Sequence, residues 1–187
     1  MKKKIDIVPP ELGNLKELTR LSIHGLCDIL HDDYPYPQYN CVRGNISGFI
    51  PSEIGNCSNL SYLDLHSNTL KGPILETITI LKKLIVLVRN SNQITGTIPQ
   101  EIGKRQSVEF LYLFSNNLTK HLPYSIMKFL DYLDLSMNNM PRNIPSHISG
   151  LSSIESLTLS ENKFTRNIPE AIGNIKYLKT IDLPIII

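Results

Sequence analysis

Five histidines, three cysteines and 17 carboxylates are the side chains of this 187-residue sequence with the most obvious capacity for chemistry. A nucleophile needs a base within hydrogen-bond reach, and a metal needs ligands at a fixed spacing. Asp28, His31, Asp32 and Asp33 supply ligand types without a tetrahedral spacing, which points to a solvated loop. His24 and His66 occupy equivalent places in the pattern described below, but the count of residues puts a strand between them, and neither has a nucleophile beside it. A Ser/His/Asp arrangement is therefore unsupported, and no catalytic residue, cofactor or metal is expected. None of the cysteines stands in C-x-x-C spacing. Cys41 falls on a buried strand position and Cys57 on a return segment, where a thiol serves as a small hydrophobe. Cys27 and Cys41 stay open between a disulfide and two thiols. Lys2 to Lys4 is a solvated terminus, and a net charge of +2 gives no case for nucleic acid.

Chemistry being thin, the elements that would position these residues carry more information. Leu occurs 26 times and Ile 25 times, together about a quarter of the chain, whereas Ala occurs once, at position 171. Ala is the best helix former, so a helical bundle is excluded on composition. Twelve Pro, ten Gly and abundant Asn cut the chain into short elements. No apolar run reaches the roughly 18 to 20 residues of a membrane span. Met1 to Lys4 resembles the charged start of a signal peptide, but no hydrophobic segment follows, so neither a secretion signal nor an anchor is expected within these residues.

Ile50-Pro51 recurs as Ile98-Pro99, Leu122-Pro123, Ile144-Pro145 and Ile168-Pro169, with Ile74-Leu75 at the missing beat. The intervals are 24, 24, 24, 22 and 24 residues. Val8-Pro9 lies 42 residues before Ile50, which fits two shortened repeats. Within each beat Leu60-x-x-Leu63-x-Leu65-x-x-Asn68-x-Leu70-x-Gly72 returns with small changes, giving a column of Asn68, Asn92, Asn116, Asn138 and Asn162. This pattern is identified as a leucine-rich repeat. Its L-x-L core alternates with period two and predicts a strand with one buried face. The Asn predicts side-chain bonds to main-chain groups where the chain leaves the strand. The expected fold is an α/β leucine-rich-repeat solenoid, a right-handed superhelix of about eight repeats over residues 8–183, irregular at 27–40, with tails at 1–7 and 184–187. Short parallel strands line its concave face, and loose turns or 3-10 segments its convex face.

Ile46-Ser-Gly-Phe-Ile-Pro51, Leu70-Lys-Gly-Pro-Ile74 and Ile94-Thr-Gly-Thr-Ile-Pro99 resemble the L-x-G-x-I-P signature of plant-type leucine-rich repeats. With Glu53-Ile54-Gly55-Asn56 and Glu101-Ile102-Gly103 they resemble the ectodomains of plant receptor-like kinases and receptor-like proteins. The resemblance implies recognition of a peptide or protein ligand outside the cell, possession of a co-receptor, and a kinase carried elsewhere, since no Gly-rich loop, H-R-D or D-F-G occurs here. A secreted polygalacturonase-inhibitor-like protein and an inactive truncated product are the alternatives. Departures from the family pattern are several. The paired-Cys caps are absent, and Leu26 and Gly44 stand where the first two copies should carry Asn. Arg89 occupies a core position, and Lys120, Arg142 and Arg166 replace the signature Gly.

In such a strand the residues flanking each core Leu face the concave surface and align between neighbours. One aligned column is expected to run Ser22, Asn40, Asp64, Val88, Tyr112, Asp134, Thr158 and Asp182. Tyr62, Val86, Val88, Phe110, Tyr112, Phe114 and Tyr132 fall on four consecutive strands and predict one apolar, aromatic patch for a ligand. N-x-S/T acceptors at Asn45, Asn56, Asn59 and Asn117 are candidates for N-glycosylation.

Overall fold

A computed structural model describes residues 7–31, 38–104, 107–123, 129–164 and 167–183. The chain opens with strand β1 (Arg20–Ser22), a hairpin of β2 (Leu26–His31) and β3 (Gln38–Val42), and β4 (Ser47–Phe49). Strands of two sheets then alternate: β5 (Tyr62–Asp64), β6 (Thr69–Pro73), β7 (Val86–Val88), β8 (Gln93–Gly96), β9 (Phe110–Tyr112) and β10 (Asn117–Leu118). The last five are β11 (Tyr132–Asp134), β12 (Pro141–Arg142), β13 (Ser156–Thr158), β14 (Lys163–Phe164) and β15 (Thr180–Asp182). One parallel sheet orders β1-β5-β7-β9-β11-β13-β15, and a second orders β10-β8-β6-β4. This is a leucine-rich-repeat solenoid.

The return segments described in full are single five-residue 3-10 turns, as at Pro10–Asn14, Ser52–Asn56, Ser146–Gly150 and Glu170–Asn174. Pro9, Pro51, Pro145 and Pro169 stand immediately before these turns in extended backbone. Proline fixes φ and lacks a donor, which suits a position where a strand has ended and a turn begins. Between the sheets and the turns runs one continuous core in which Leu60, Leu63, Leu65, Leu87, Leu111, Leu135, Leu157 and Leu159 are fully buried.

The first two repeats depart from the expected count. Arg20, Leu21 and Ser22 of β1 pair directly with Tyr62, Leu63 and Asp64 of β5. The 42-residue interval is thus one repeat of 24 carrying 18 extra residues, so the main sheet has seven strands rather than about eight. Part of the extra chain, read from sequence as a loop over 27–40, folds as the antiparallel hairpin β2–β3. Asn40 therefore faces Asp28 across that hairpin and does not belong to the concave column, and Cys41 sits opposite Cys27 in its register instead of on a solenoid strand.

The asparagine column closes the corner of every regular layer. Asn92 Nδ2 donates to Leu65 O of the preceding repeat at 2.9 Å, and to Arg89 O and Asn90 O of its own. Its Oδ1 accepts the Leu70 N–H at 3.0 Å. Asn68, Asn116, Asn138 and Asn162 make the same set, reaching back to Ile23 O, Arg89 O, Leu113 O and Leu135 O. Arg89 is the discordant residue. It replaces the buried Leu of the other repeats, is 0% exposed, and none of its guanidinium nitrogens has a hydrogen-bond partner. Desolvation alone lowers its pKa to about 9.

Two outcomes test this account of the layers. Asn92→Ala strips partners from several buried main-chain groups and should cost about 2 to 5 kcal/mol in urea denaturation. R89L restores the repeat and should stabilise by at least about 2 kcal/mol, because an unpaired buried charge is removed. Because the folded pKa of Arg89 is depressed, the unfolded state binds the extra proton, so native stability rises with pH above about 9. The gap between R89L and the parent should narrow over that range.

Candidate functional site

Register converts the repeat into two concave rows. One row runs Arg20, Tyr62, Val86, Phe110, Tyr132, Ser156 and Thr180, and the other Ser22, Asp64, Val88, Tyr112, Asp134, Thr158 and Asp182. Both rows flank the same buried Leu column, so their side chains leave the sheet on one face.

The structure brings together the aromatic residues singled out from sequence. Tyr62, Val86, Val88, Phe110, Tyr112 and Tyr132 lie on four adjacent strands, and Phe114 follows β9 by two residues. All seven are half-buried, keeping part of their surface in solvent. Phe110 and Tyr132 stack with centroids 5.1 Å apart and planes 8° from parallel. Tyr62 sits at the polar edge of the patch. The Arg20 guanidinium lies 3.5 Å above its ring, and its hydroxyl donates to Asp64 Oδ2 at 3.3 Å.

Beside Tyr62 the structure overturns one expectation. Because β1 and β5 are neighbours, no strand separates His24 from His66, and the two rings stack at 4.7 Å. His66 Nδ1 meets Asp64 Oδ1 at 2.6 Å, with both side chains buried. Among the described residues no three His, Cys, Asp or Glu side chains converge on a metal position. Asp32 and Asp33 lie outside the described residues, as do the side chains of Asp28, His31, Cys27 and Cys41. Cys57 is an unpaired thiol buried in the core, its Sγ donating to Leu12 O; burial pushes its pKa up.

Toward the last strands the face turns acidic. Burial raises the pKa of Asp131, and neighbouring Glu155 raises it further. Burial also raises that of Asp134, partly opposed by hydrogen bonds from Ser136, with Asp182 adding repulsion. Glu155 is held below the ordinary glutamate range by the hydrogen bond from Lys179, with Tyr132 contributing a second donor. Lys120 is exposed on the other side, at the column that holds Gly48, Gly72 and Gly96 in earlier repeats; Arg166 and the side chain of Arg142 lie outside the described residues. Sequence reasoning missed the Arg20–Tyr62 contact and the histidine stack, since both depend on which strands are adjacent.

Comparison with known proteins follows the geometry. A family model described as Leucine Rich Repeat matches residues 59–84 and 153–175, in agreement with the leucine-rich-repeat solenoid of the layered sheet. Its repeats are of the kind found in plant receptor ectodomains. The structure is similar to the ectodomain of the plant membrane receptor kinase GASSHO1/SCHENGEN3 from Arabidopsis thaliana in complex with CASPARIAN STRIP INTEGRITY FACTOR 2, at 31% identity and a TM-score of 0.81. That match covers 95% of this chain and 19% of the other. It is also similar to the Arabidopsis receptor kinase HAESA in complex with the peptide hormone IDA and the co-receptor SERK1, at 32% identity, a TM-score of 0.77, and coverage of 95% and 27%. A plant ice-binding protein aligns at 26% identity and a TM-score of 0.77, covering 95% of this chain and 52% of that one. No curated protein sequence matches the chain. The chain thus spans 19 to 27% of the length of these two receptor ectodomains.

The four glycosylation acceptors differ in access. Asn45, Asn56 and Asn117 are exposed. Asn59 donates from Nδ2 to Lys16 O and Glu17 Oε2, and accepts from Lys83 at Oδ1. Expressed through a secretory pathway, N59Q should leave the glycan count by intact mass unchanged, whereas N45Q, N56Q and N117Q should each remove an attached glycan.

Proposed function

We propose that this chain is a non-catalytic recognition module, whose concave face binds a peptide or protein segment in the manner of the receptor ectodomains it resembles. The observation that carries this reading is the run of half-buried aromatic and aliphatic side chains across four adjacent strands, centred on Tyr112 and Phe114. A solvated sheet face normally carries polar residues; an apolar cluster there loses water favourably only when a partner covers it. In this reading the chain forms part of a plant receptor-like kinase or receptor-like protein, works outside the cell, and shares its ligand with a co-receptor.

Peptides selected from a random display library on the immobilised 187-residue chain provide a probe. The double variant Tyr112→Ala/Phe114→Ala should weaken their binding by at least about thirtyfold, the scale of an aromatic hot spot. Its thermal unfolding should stay cooperative, because both side chains lie outside the Leu core. Unchanged affinity would remove the aromatic patch as the recognition surface.

A further inference from the structure

The residues added to the first repeat fold back on themselves as the hairpin β2–β3, leaving and rejoining the solenoid at one corner. That corner has no asparagine of its own, because Leu26 and Gly44 stand at its place. It is held from the next layer instead. Gly44 N–H donates to Ser67 O at 2.7 Å, Arg43 Nε to Asn68 O at 3.1 Å, and Asn68 Nδ2 to Ile23 O at 2.8 Å. The two legs of the hairpin meet there in direct contact. A Cβ on Gly25 would strike Val42 O and Gly44 N, and one on Gly44 would strike Asn68 Oδ1. Backbones this close admit only glycine. Strand pairing begins directly beyond, with Leu26 opposite Val42.

The next pair in that register is Cys27 opposite Cys41. Directly opposed residues of antiparallel strands share one face of the ribbon, with Cα atoms about 4.5 to 5.5 Å apart. A disulfide spans Cα separations of about 4.4 to 6.8 Å, so either kind of pair in the ladder accommodates one. The hairpin's register shift falls between Ile29 and His31, beyond the cysteines, and leaves their pairing intact. Only residues 28–40 lie between them, so the entropy of closing the ring is small. The third cysteine is placed elsewhere. Cys57 follows the turn Ser52–Asn56, is buried in the Leu core and donates to Leu12 O, so it competes for neither partner.

We propose that Cys27 and Cys41, opposed across β2–β3, form a disulfide that clamps the base of the insertion where the layer lacks its asparagine. The bond lies between two layers of the solenoid, not at a cap. It forms by exchange with an oxidant of the disulfide class, such as glutathione disulfide. One cysteine thiolate attacks a sulfur of the oxidant and releases a thiol. The second thiolate then attacks the mixed disulfide on the cysteine sulfur and releases the other thiol. Cys27 and Cys41 together give up two electrons and two protons, and the oxidant becomes two thiols. Such a bond persists outside the cell, where the recognition reading puts the chain, but its formation does not depend on that reading.

The test equilibrates the full chain in a glutathione buffer poised at about −180 mV, unfolds it in guanidinium containing iodoacetamide, and digests it with trypsin. Cleavage after Arg20, Arg43 and Lys71 puts Cys27 and Cys41 in one peptide, 21–43, and Cys57 in another, 44–71. Peptide 21–43 should be unalkylated and lighter by two hydrogens than its reduced form, and Cys57 should be alkylated. Two alkyl groups on 21–43, or a link between the two peptides, would overturn the bond. In C41S/V42C the second thiol moves by one residue, to the opposite face of the hairpin, and oxidation of 21–43 should fall at least about tenfold. Oxidation equal to the parent's would show that the hairpin register does not bring the thiols together. Reducing the parent with a phosphine should speed hydrogen exchange at the Gly44 N–H at least about fivefold, and unchanged exchange would remove the clamping role.

Discussion

The corner where each strand hands over to the back of the solenoid is the constraint on which everything else rests. There the chain turns inside the core, where backbone bonds between layers, such as Ser91 N–H to Phe114 O, leave other buried N–H and C=O groups still to be paired. One Asn side chain per layer supplies the missing partners and bonds the layer before it at the same time. That double reach fixes how far one layer can slide on the next, which is why the concave rows stay in register over seven strands. The residue preceding each of these asparagines adopts a left-handed conformation, with φ between 50° and 54° at Ser67, Ser91, Ser115, Met137 and Glu161. A long side chain such as Met137 would rarely choose this conformation. It does so because the bonds of Asn138 on either side leave the backbone no other course. The shortened 22-residue repeat keeps the same corner, and the concave rows run through it in register.

The second sheet tolerates much less. Gly48, Gly72 and Gly96 adopt φ of 79° to 80° within β4, β6 and β8. A Cβ on Gly72 would also strike the ring of Phe49 in the layer before. Where Lys120 takes the next place in this column, the four-stranded sheet stops at β10, and β12 and β14 pair apart from it. The two sides of the solenoid thus respond differently to sequence drift. The front is pinned by asparagine in every regular layer, whereas the back depends on glycine, and its glycines run out halfway. The side that stayed regular is the one that carries the proposed recognition patch.

How much of this was legible in the sequence follows from what periodicity can encode. Spacing by 24 residues revealed the Leu column, the asparagines and the aromatic rows, since each is a property of a repeat compared with itself. Spacing could not reveal adjacency. The 42 residues between Val8 and Ile50 accommodate two shortened repeats or one repeat with an insertion, and hydrophobic residues such as Leu26 and Cys41 fit a strand in either case. Only pairing of β1 with β5 decides it, and that pairing carries the His24–His66 stack and the Arg20–Tyr62 contact. Contacts between layers were hidden wherever layer order was ambiguous. The Phe110–Tyr132 stack shows the complement: its two strands were correctly ordered from sequence, but ring geometry lies beyond what a repeat pattern states.

The concave face has a direction along the solenoid axis. At its first strands the charges are matched internally, with Arg20 over Tyr62 and His66 against Asp64. In the middle Val86, Val88, Phe110, Tyr112 and Phe114 offer apolar surface with little charge. At the last strands carboxylates outnumber bases and lean on neutral donors. A segment lying along this face, as proposed above, would meet matched charges, an apolar centre and an acidic end in a fixed order. Opposite charges across an interface govern orientation and partner choice more than they add affinity. In the recognition reading proposed above, affinity would come from the aromatic centre, a feature that the layered fold itself does not dictate. The likeness to a plant ice-binding protein makes the same point: identical layers can present quite different surfaces.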